Sequence, residues 1–328
     1  MNTSSLIRSA GPLGLYALAR QLTRHHPRIL MYHRFSAEPR KGFVSAAAFD
    51  DQVAHIARYY KPVALGTLIG WLRAGEPIPA HTIVITVDDG YADFHDVAFP
   101  ILRKHQVPAT LFVTTGFIDG ALWLWPDQVR WVLDTARRRP DTLTVAGNCI
   151  SIHTAPWQQI IDALLRIPDT DKHHAIQGLA ETLGTTIPES PPAAFAPLNW
   201  QQLREMQAAG IEFGGHTHTH PTLPKVEPSA LTSEIDHCLH RLNAELGPRP
   251  RPFCYPNGQP EDYSSIVRDA VEQAGFTGAV VAYADAQPQG DLYALRRHSG
   301  SCNRFQFQKA VSGLEWLGRR AKQRGTAA

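Results

Sequence analysis

Ile83-Val-Ile-Thr-Val-Asp-Asp-Gly90 is the stretch from which the fold of this 328-residue chain is inferred. Four of the five residues before the aspartates are β-branched aliphatics and the fifth is Thr86, a pattern typical of a buried strand. Adjacent carboxylates repel each other, so we expect a cation or a hydrogen-bonding partner beside Asp88 and Asp89. An ordinary strand-to-loop turn also favours Asp and Gly, and this stretch alone leaves that interpretation open.

Strands and helices alternate along most of the chain. Apolar runs predict parallel strands that begin near residues 28, 82, 109, 211, 252, 278 and 293, with helical periodicity between them. About seven strands in this alternation predict an irregular or incomplete (β/α) barrel, in which the chemistry lies at the carboxyl ends of the strands. The polar residues predicted at those ends are His33, Asp88, Asp89, His216, Tyr255 and Arg297.

The alternation is interrupted between residues 119 and 198, where the sequence predicts a hairpin at 142–152 and two helices at about 156–166 and 170–183. We interpret 119–198 as a mainly helical insertion, a lid or substrate wall, within a barrel domain of residues 28–320. Its tryptophans are either core residues or platforms for sugar stacking. Residues 1–27 are predicted to be an N-terminal helical leader, and residues 321–328 a tail.

Composition limits the classes of partner. The formal charge of +2 is too close to balance to favour a nucleic-acid partner. No run reaches the roughly 18 apolar residues of a membrane span. The four scattered cysteines indicate neither a disulfide framework nor a thiolate zinc site. The N-terminus makes a poor signal peptide, so the cytoplasm is the default compartment, with a membrane-associated or exported protein as the alternatives. The oligomeric state is open.

A histidine cluster, His216-Thr-His-Thr-His220, follows another short predicted strand. In a helix or a tight turn, His216 and His220 can direct both imidazoles to one side while His218 points elsewhere. One carboxylate added to this pair gives a set typical of catalytic zinc or another divalent metal. The second aspartate is then available as a base, which predicts metal-assisted hydrolysis. Chance clustering among 16 histidines is the alternative.

Three motifs together resemble those of the polysaccharide deacetylases of carbohydrate esterase family four. They are Thr86-Val-Asp-Asp-Gly90, His216-Thr-His-Thr-His220 and Phe253-Cys-Tyr-Pro-Asn-Gly258, and the resemblance covers roughly residues 28 to 300. It implies a distorted barrel, a divalent metal with Zn²⁺ first among the candidates, and removal of acetyl groups from N-acetylated sugars.

The resemblance also implies roles for single residues. Asp88 would be the general base, and Asp89, His216 and His220 would hold the metal. The backbone amide of Tyr255 would stabilise the oxyanion of the tetrahedral intermediate. Thr217 would support the histidine loop by hydrogen bonding. Met31-Tyr-His33 is similar to an element of exopolysaccharide deacetylases that lies near the metal, which makes His33 a candidate either for a group that supports the metal ligands or for the acid.

The sequence departs from the family pattern at two positions. Cys254 occupies the position of the arginine that orients the base, and Arg297 is a candidate replacement. The late Leu-x-His motif, whose histidine is the general acid, is matched only by Leu295-Arg-Arg-His298, one residue out of step. Because side chains alternate along a strand, His298 points away if Arg297 points inward, unless a bulge intervenes. The general acid therefore stays open between His33, His298 and Asp88.

The leading hypothesis is a metal-dependent hydrolase that removes N-acetyl groups from an N-acetylhexosamine polysaccharide or oligosaccharide, in surface or exopolysaccharide metabolism. A deformylase or another amidase with the same metal site is the first alternative. A non-catalytic glycan-binding module is the second, and Asp88 argues against it because binding alone needs no base.

Overall fold

A computed structural model describes residues 14–284 and 289–326, with side chains up to residue 322. The strands are β1 (Arg28–Tyr32), β2 (Phe35–Ser36), β3 (Val44–Ser45), β4 (Lys61–Pro62), β5 (Thr82–Val87), β6 (Thr110–Val113), β7 (Thr142–Val145), β8 (Asn148–Ser151), β9 (Glu212–Gly215), β10 (Phe253–Cys254), β11 (Ala279–Val280) and β12 (His298–Ser299). The helices are α1 (Tyr16–Leu22), α2 (Ala46–Tyr59), α3 (Leu65–Ala74), α4 (Phe99–His105), α5 (Thr115–Ile118), α6 (Trp125–Asp134), α7 (Pro156–Leu164), α8 (Asp169–Leu183), α9 (Trp200–Ala208), α10 (Pro228–Leu246), α11 (Ser265–Gln273), α12 (Arg304–Ser312) and α13 (Leu314–Thr326).

The central sheet is parallel, in the order β11-β10-β9-β6-β5-β1-β12, with β4 paired to the start of β5. Every residue of β5 is buried, as the run of β-branched residues predicts. The register of β1 against β5 ends with Tyr32 opposite Val87. His33 and Asp88 therefore leave neighbouring strands at the same level, at the carboxyl edge of the sheet.

The last segment of the barrel joins both edges of the sheet. Leu295 forms a single bridge with Val280 of β11, and three residues later His298 pairs with Leu30 of β1. This arrangement confirms the predicted irregular (β/α) barrel with seven parallel strands. Regular pairing of the last strand begins later than the predicted residue 293, because its first half is held to β11 by that one bridge. Arg297 lies in the bend between the two edges.

Residues 119–198 contain the predicted hairpin and both predicted helices, α7 and α8, packed with α6 around an apolar cluster of their own. The hairpin turn is made by Ala146 and Gly147, both at positive φ, as a two-residue turn requires. Trp123 and Trp125 are only 4% and 3% exposed. They are core residues, so the sugar-stacking interpretation is wrong for these two.

The two ends of the chain differ from the prediction in detail. The single helix expected from 304 to 322 is divided into α12 and α13 at Gly313, whose φ of +83° ends the first helix. The N-terminal leader is helical from Tyr16 to Leu22, and its first 13 residues lie outside the described part. All four cysteines are free thiols. No helix in 14–284 or 289–326 combines the length and apolar character of a membrane span.

Candidate active site

The structure brings Asp89, His216 and His220 together at the carboxyl ends of β5 and β9. Asp89 Oδ1 lies 3.3 Å from His216 Nε2 and 3.6 Å from His220 Nε2. All three residues are buried, and one ligand atom from each lies within 4.8 Å of the others. The predicted convergence of one carboxylate and two imidazoles is therefore present, across more than 120 residues of sequence.

The backbone is forced into unusual conformations to achieve this convergence. Asp89, Thr217 and His220 have φ values of +79°, +65° and +62°, a region that costs energy for residues other than glycine. Thr217 stabilises the histidine loop: its hydroxyl donates to the His216 carbonyl at 2.6 Å and accepts the His220 N–H at 2.9 Å. The His-Thr-His-Thr-His segment is thus a tight loop, and the predicted role of Thr217 in supporting it is confirmed.

Glu234 is a second support of this loop, which the sequence did not reveal. Its carboxylate accepts the backbone N–H groups of His218 and Thr219 at 3.0 and 2.8 Å, and the Thr219 hydroxyl at 2.7 Å. His218 itself points away from the other two histidines and contacts Thr115 Oγ1 through Nδ1 at 2.9 Å. No local pattern could have identified Glu234, because it lies on α10, after the loop and an intervening turn.

The donor atoms of this group fit a divalent cation. His216 Nδ1 lies 2.8 Å from the Cys254 carbonyl, and because that oxygen only accepts, Nδ1 carries the proton. Burial would lower the pKa of His216, but Cys254 and Asp89 raise it well above its usual value, so without a cation Nε2 carries a proton directed at Asp89, and a bound cation would replace that proton. A tetrahedral ion with bonds of about 2.1 Å separates its ligand atoms by about 3.4 Å, close to both distances to Asp89 Oδ1.

His220 supports the same conclusion. Burial and the neighbouring His216 lower the pKa of His220 to about 4, so its imidazole is neutral and can act as a ligand. Its Nδ1 is buried and has no hydrogen-bond partner among the described residues. Burial alone would raise the pKa of Asp89, but His216, His33 and His220 hold the pKa of this carboxyl well below its usual range.

Asp88 is buried beside this group and is held by Arg297. The guanidinium donates to both carboxylate oxygens, Nη1 to Oδ1 at 2.7 Å and Nη2 to Oδ2 at 2.8 Å. It also donates to Thr86 Oγ1 and to the Val281 carbonyl, which orients it. Burial alone would raise the pKa of Asp88, but Arg297 more than offsets this effect and lowers the pKa. The base candidate is therefore an ionised carboxylate in one fixed orientation.

Arg297 also decides between two possible ion positions. Asp88, His216 and Cys254 form a second group with metal-ligand spacing. Arg297 Nη2 lies 2.8 Å from Asp88 Oδ2 and 3.2 Å from Cys254 Sγ, so the guanidinium already occupies the space between them. A second positive charge there would be repelled, which leaves the group around Asp89 as the candidate metal site.

Three further candidates from the sequence have different outcomes. His33 Nε2 lies 3.6 Å from Asp88 Oδ2, and its side chain is 46% exposed, so it faces the open side of the site. His298 is buried on the other side of the strand, where Nδ1 contacts Glu315 Oε2 at 3.0 Å. His298 is therefore wrong as a member of this site: the alternation along the strand holds and no bulge turns its ring inward.

Tyr255 directly follows β10. Its backbone N–H donates to the Val280 carbonyl at 3.4 Å, within the pairing of β10 and β11. Its ring is buried, and its hydroxyl donates to the Tyr293 carbonyl at 3.0 Å. The role of this amide as an oxyanion donor stays a prediction, since the contact with the Val280 carbonyl is long.

The insertion contacts the loop that carries both aspartates. The backbone of its last residues pairs with that loop, Leu198 N–H to the Gly90 carbonyl and Ala92 N–H to the Ala196 carbonyl, both at 2.9 Å. The Tyr91 hydroxyl donates to Asp127 of α6 at 2.5 Å.

The insertion also contacts the histidine loop. Asp169 accepts the Thr222 N–H at 3.3 Å, and the fully buried Lys172 donates to the Thr222 hydroxyl at 3.0 Å and to Asp169. Residues 119–198 therefore border the site on two sides.

Comparison with known proteins identifies the family. A sequence model described as polysaccharide deacetylase matches residues 75–279. The chain belongs to the polysaccharide deacetylase family. The matched region includes the candidate base Asp88 and the segment around Cys254. It also includes the three candidate metal ligands, Asp89, His216 and His220.

Individual members are similar over different lengths. The chain is 33% identical over 85 residues to a poly-beta-1,6-N-acetyl-D-glucosamine N-deacetylase of Escherichia coli strain K12; the alignment covers 26% of this chain and 13% of that protein. The structure of the deacetylase PplD from Streptococcus pyogenes, in complex with acetate, has a TM-score of 0.57 at 20% identity, over 85% of this chain and 93% of that one. IcaB from Ammonifex degensii has a TM-score of 0.57 at 17% identity, over 88% and 97%. At these identities the structural matches show a shared fold.

Proposed function

We propose that this chain is a metal-dependent hydrolase that removes N-acetyl groups from an N-acetylhexosamine polysaccharide or oligosaccharide, in surface or exopolysaccharide metabolism. The observation that carries the proposal is the convergence of Asp89, His216 and His220 next to a separate, ionised and oriented carboxylate, Asp88. Membership of the polysaccharide deacetylase family supports the reaction class. The name of the E. coli relative favours N-acetylglucosamine polymers as the substrate class.

Asp89, His216 and His220 would hold the cation, and one carboxylate with two imidazoles favours Zn²⁺. When bound, a divalent cation supplies a Lewis acid that polarises the acetamide carbonyl and makes a water molecule more acidic. The protein's contribution is to keep the three ligand atoms in place through Thr217 and Glu234, so that no rearrangement of the loop is needed.

Asp88 would accept the proton of the attacking water, because it is the carboxylate of the pair that the metal ligands leave available. Arg297 keeps it ionised and fixes its direction, while each carboxylate oxygen retains a lone pair for the water. The C–N bond then breaks to give acetate and a primary amine, whose nitrogen must gain a proton. His33 is placed for this transfer, since it is exposed to the open side of the site and lies 3.6 Å from Asp88.

The experiment measures acetate released from β-1,4- and β-1,6-linked N-acetylglucosamine oligomers. We expect release by the wild type, loss on chelation and recovery with zinc. Asp88→Asn should lose activity by about 100-fold or more while it retains stoichiometric zinc, whereas Asp89→Asn should lose both. Asp236→Asn, at an exposed position on α10, is the matched control and should behave as wild type. Formate release from N-formyl substrates alone would make the protein a deformylase, and saturable glycan binding without any released acid would make it a binding module.

A further inference from the structure

The two ends of the described chain form one surface. We call it the terminal patch and define it as residues 16–26, which are α1 and the turn after it, together with residues 314–322 of α13. The ring of His26 stacks on Trp316 with 4.6 Å between centroids, and the Thr23 hydroxyl donates to the Ser312 carbonyl beside them. The segments are therefore packed against each other, although they are almost 300 residues apart in sequence.

Apolar side chains project from this surface into solvent. Leu18 and Leu22 are 57% and 69% exposed, and at a spacing of four they share one side of α1. In the described part of the chain, large hydrophobic side chains are exposed at four positions, of which Leu18 and Leu22 are two. Another is Tyr59, whose ring centre lies 4.7 Å from the Arg20 guanidinium carbon. Most of the exposed large apolar groups are thus concentrated at one end of the molecule, as at an interaction site.

Positive charge is concentrated in the same place. Residues 16–26 and 314–322 contain five Lys or Arg and one acid, Glu315. The whole chain has a formal charge of +2 and the patch carries +4, so the rest of the chain, with 27 Lys or Arg and 29 Asp or Glu, carries −2. The near balance of the whole chain therefore conceals a basic end and an acidic remainder.

A surface cavity of about 350 Å³ lies within the patch, lined by Leu22, Thr23, Arg24, His25, His26 and Trp316. Among the described residues, Arg24 donates hydrogen bonds to neutral acceptors, the Gln21 carbonyl and the His25 ring. The Arg320 guanidinium lies 4.9 Å from the centre of the Trp316 ring. A guanidinium without a carboxylate partner, beside imidazoles and an indole, suits a phosphate group.

The position of the patch relative to the active site is also informative. The Arg24 carbonyl accepts the His81 N–H, and His25 Nδ1 contacts the Ile78 carbonyl, both just before β5 begins. The patch therefore lies at the amino ends of the strands, whereas the carboxylates and imidazoles of the site lie at the carboxyl ends. A protein attached through the patch would keep its active site open to solvent.

We propose that the terminal patch docks the protein on an anionic phospholipid bilayer, with Leu18 and Leu22 among the headgroups and the surrounding cations against the phosphates. Exposed leucines flanked by arginines are the combination by which amphipathic helices bind such surfaces. An acidic protein partner would match the charge but not the isolated leucine pair.

The test is sedimentation of the full chain with vesicles of phosphatidylcholine, with and without about 30% phosphatidylglycerol, at about 0.1 M salt. We expect binding only to the anionic vesicles, and release at about 0.5 M salt. Leu18→Ser with Leu22→Ser, and separately Arg24→Gln with Arg320→Gln, should each weaken binding about tenfold or more. These side chains are exposed, so unfolding curves and acetate release from soluble oligomers should match the wild type.

Matched controls carry the same chemical changes elsewhere on the surface. Ile266→Ser removes an apolar side chain that is 68% exposed, and Arg139→Gln with Arg166→Gln removes two exposed arginines of the insertion. Both should bind anionic vesicles as the wild type does. Equal binding to neutral vesicles, no binding to anionic ones, or losses no larger in the patch variants than in the controls would overturn the proposal. Binding of inorganic phosphate without vesicle binding would also overturn it, because it indicates a site for small anions.

Discussion

Arg297→Met tests the most consequential contact of the site. Arg297 and Asp88 are 1% and 2% exposed and share two hydrogen bonds of 2.7 and 2.8 Å. Removing the guanidinium leaves a buried carboxylate without its counter-charge, which costs about 3–5 kcal/mol in comparable pairs. We therefore expect the free energy of unfolding to fall by about that amount at neutral pH, measured by urea denaturation of metal-free protein.

Two further variants separate the charge from the packing. Arg297→Lys keeps the charge but loses the forked pair of hydrogen bonds, so it should lose about 1–2 kcal/mol. Asp88→Asn combined with Arg297→Met removes the unpaired charge, so the double variant should be more stable than Arg297→Met alone. This non-additivity is the signature of a direct interaction between the two residues.

A loss of less than about 1 kcal/mol in Arg297→Met would contradict this expectation, since a buried unpaired carboxylate costs more than that. Simple addition of the effects of Asp88→Asn and Arg297→Met would show that the two residues do not interact directly. Acetate release provides a second readout, because Arg297→Met should also slow the reaction: its Asp88 would favour the protonated form, which cannot accept a proton.

Three other expectations follow from single contacts. The hydrogen bond with His298 lowers the pKa of Glu315, burial raises it, and Arg319 lowers it further, so that the net pKa is about 2. The ionised carboxylate therefore stabilises the fold by about 2–3 kcal/mol above pH 4.5, and this contribution is lost as the pH falls toward 2. The stability gap between wild type and Glu315→Gln should therefore shrink by about half or more from pH 6 to pH 3, and a constant gap would contradict this. Lys172→Met should weaken zinc binding, measured by competition with a chromogenic chelator, because it removes the hydrogen bond that holds the chain at Thr222. Lys225→Met, at an exposed position, is the control and should leave zinc affinity unchanged. Equal zinc affinities of Lys172→Met and wild type would exclude a supporting role for Lys172. Glu234→Gln should lower zinc affinity about 10-fold or more with little change in the thermal midpoint of metal-free protein, and an unchanged affinity would show that the loop holds its shape without this carboxylate.

The barrel and the group of Asp89, His216 and His220 could be predicted because short stretches of sequence indicate them. Six consecutive buried positions in β5 and the alternation of strands with amphipathic helices are written in neighbouring residues. The parallel arrangement then requires the strand ends to meet, so Asp89 and the histidines had to lie at one edge. The chemistry of one carboxylate and two imidazoles follows from residue type alone.

Residues that support the site were decided by packing over long distances. Whether Arg297 or His298 faces Asp88 depends on how the last segment bends between β11 and β1, and the sequence alone does not contain that bend. The N–H of Tyr255 lies near the Val280 carbonyl only because β11 packs beside β10. Glu234 and Lys172 act from helices whose place beside the histidine loop follows only from the complete fold.

The distribution of charge shows the same division. Counting residues determined a nearly neutral chain, and that count is correct. Only the tertiary structure brings the basic N-terminal and C-terminal segments onto one surface. Secondary structure and side-chain chemistry depend on residues a few positions apart, whereas the environment of each side chain depends on which distant segments pack against it, and that is a property of the folded chain.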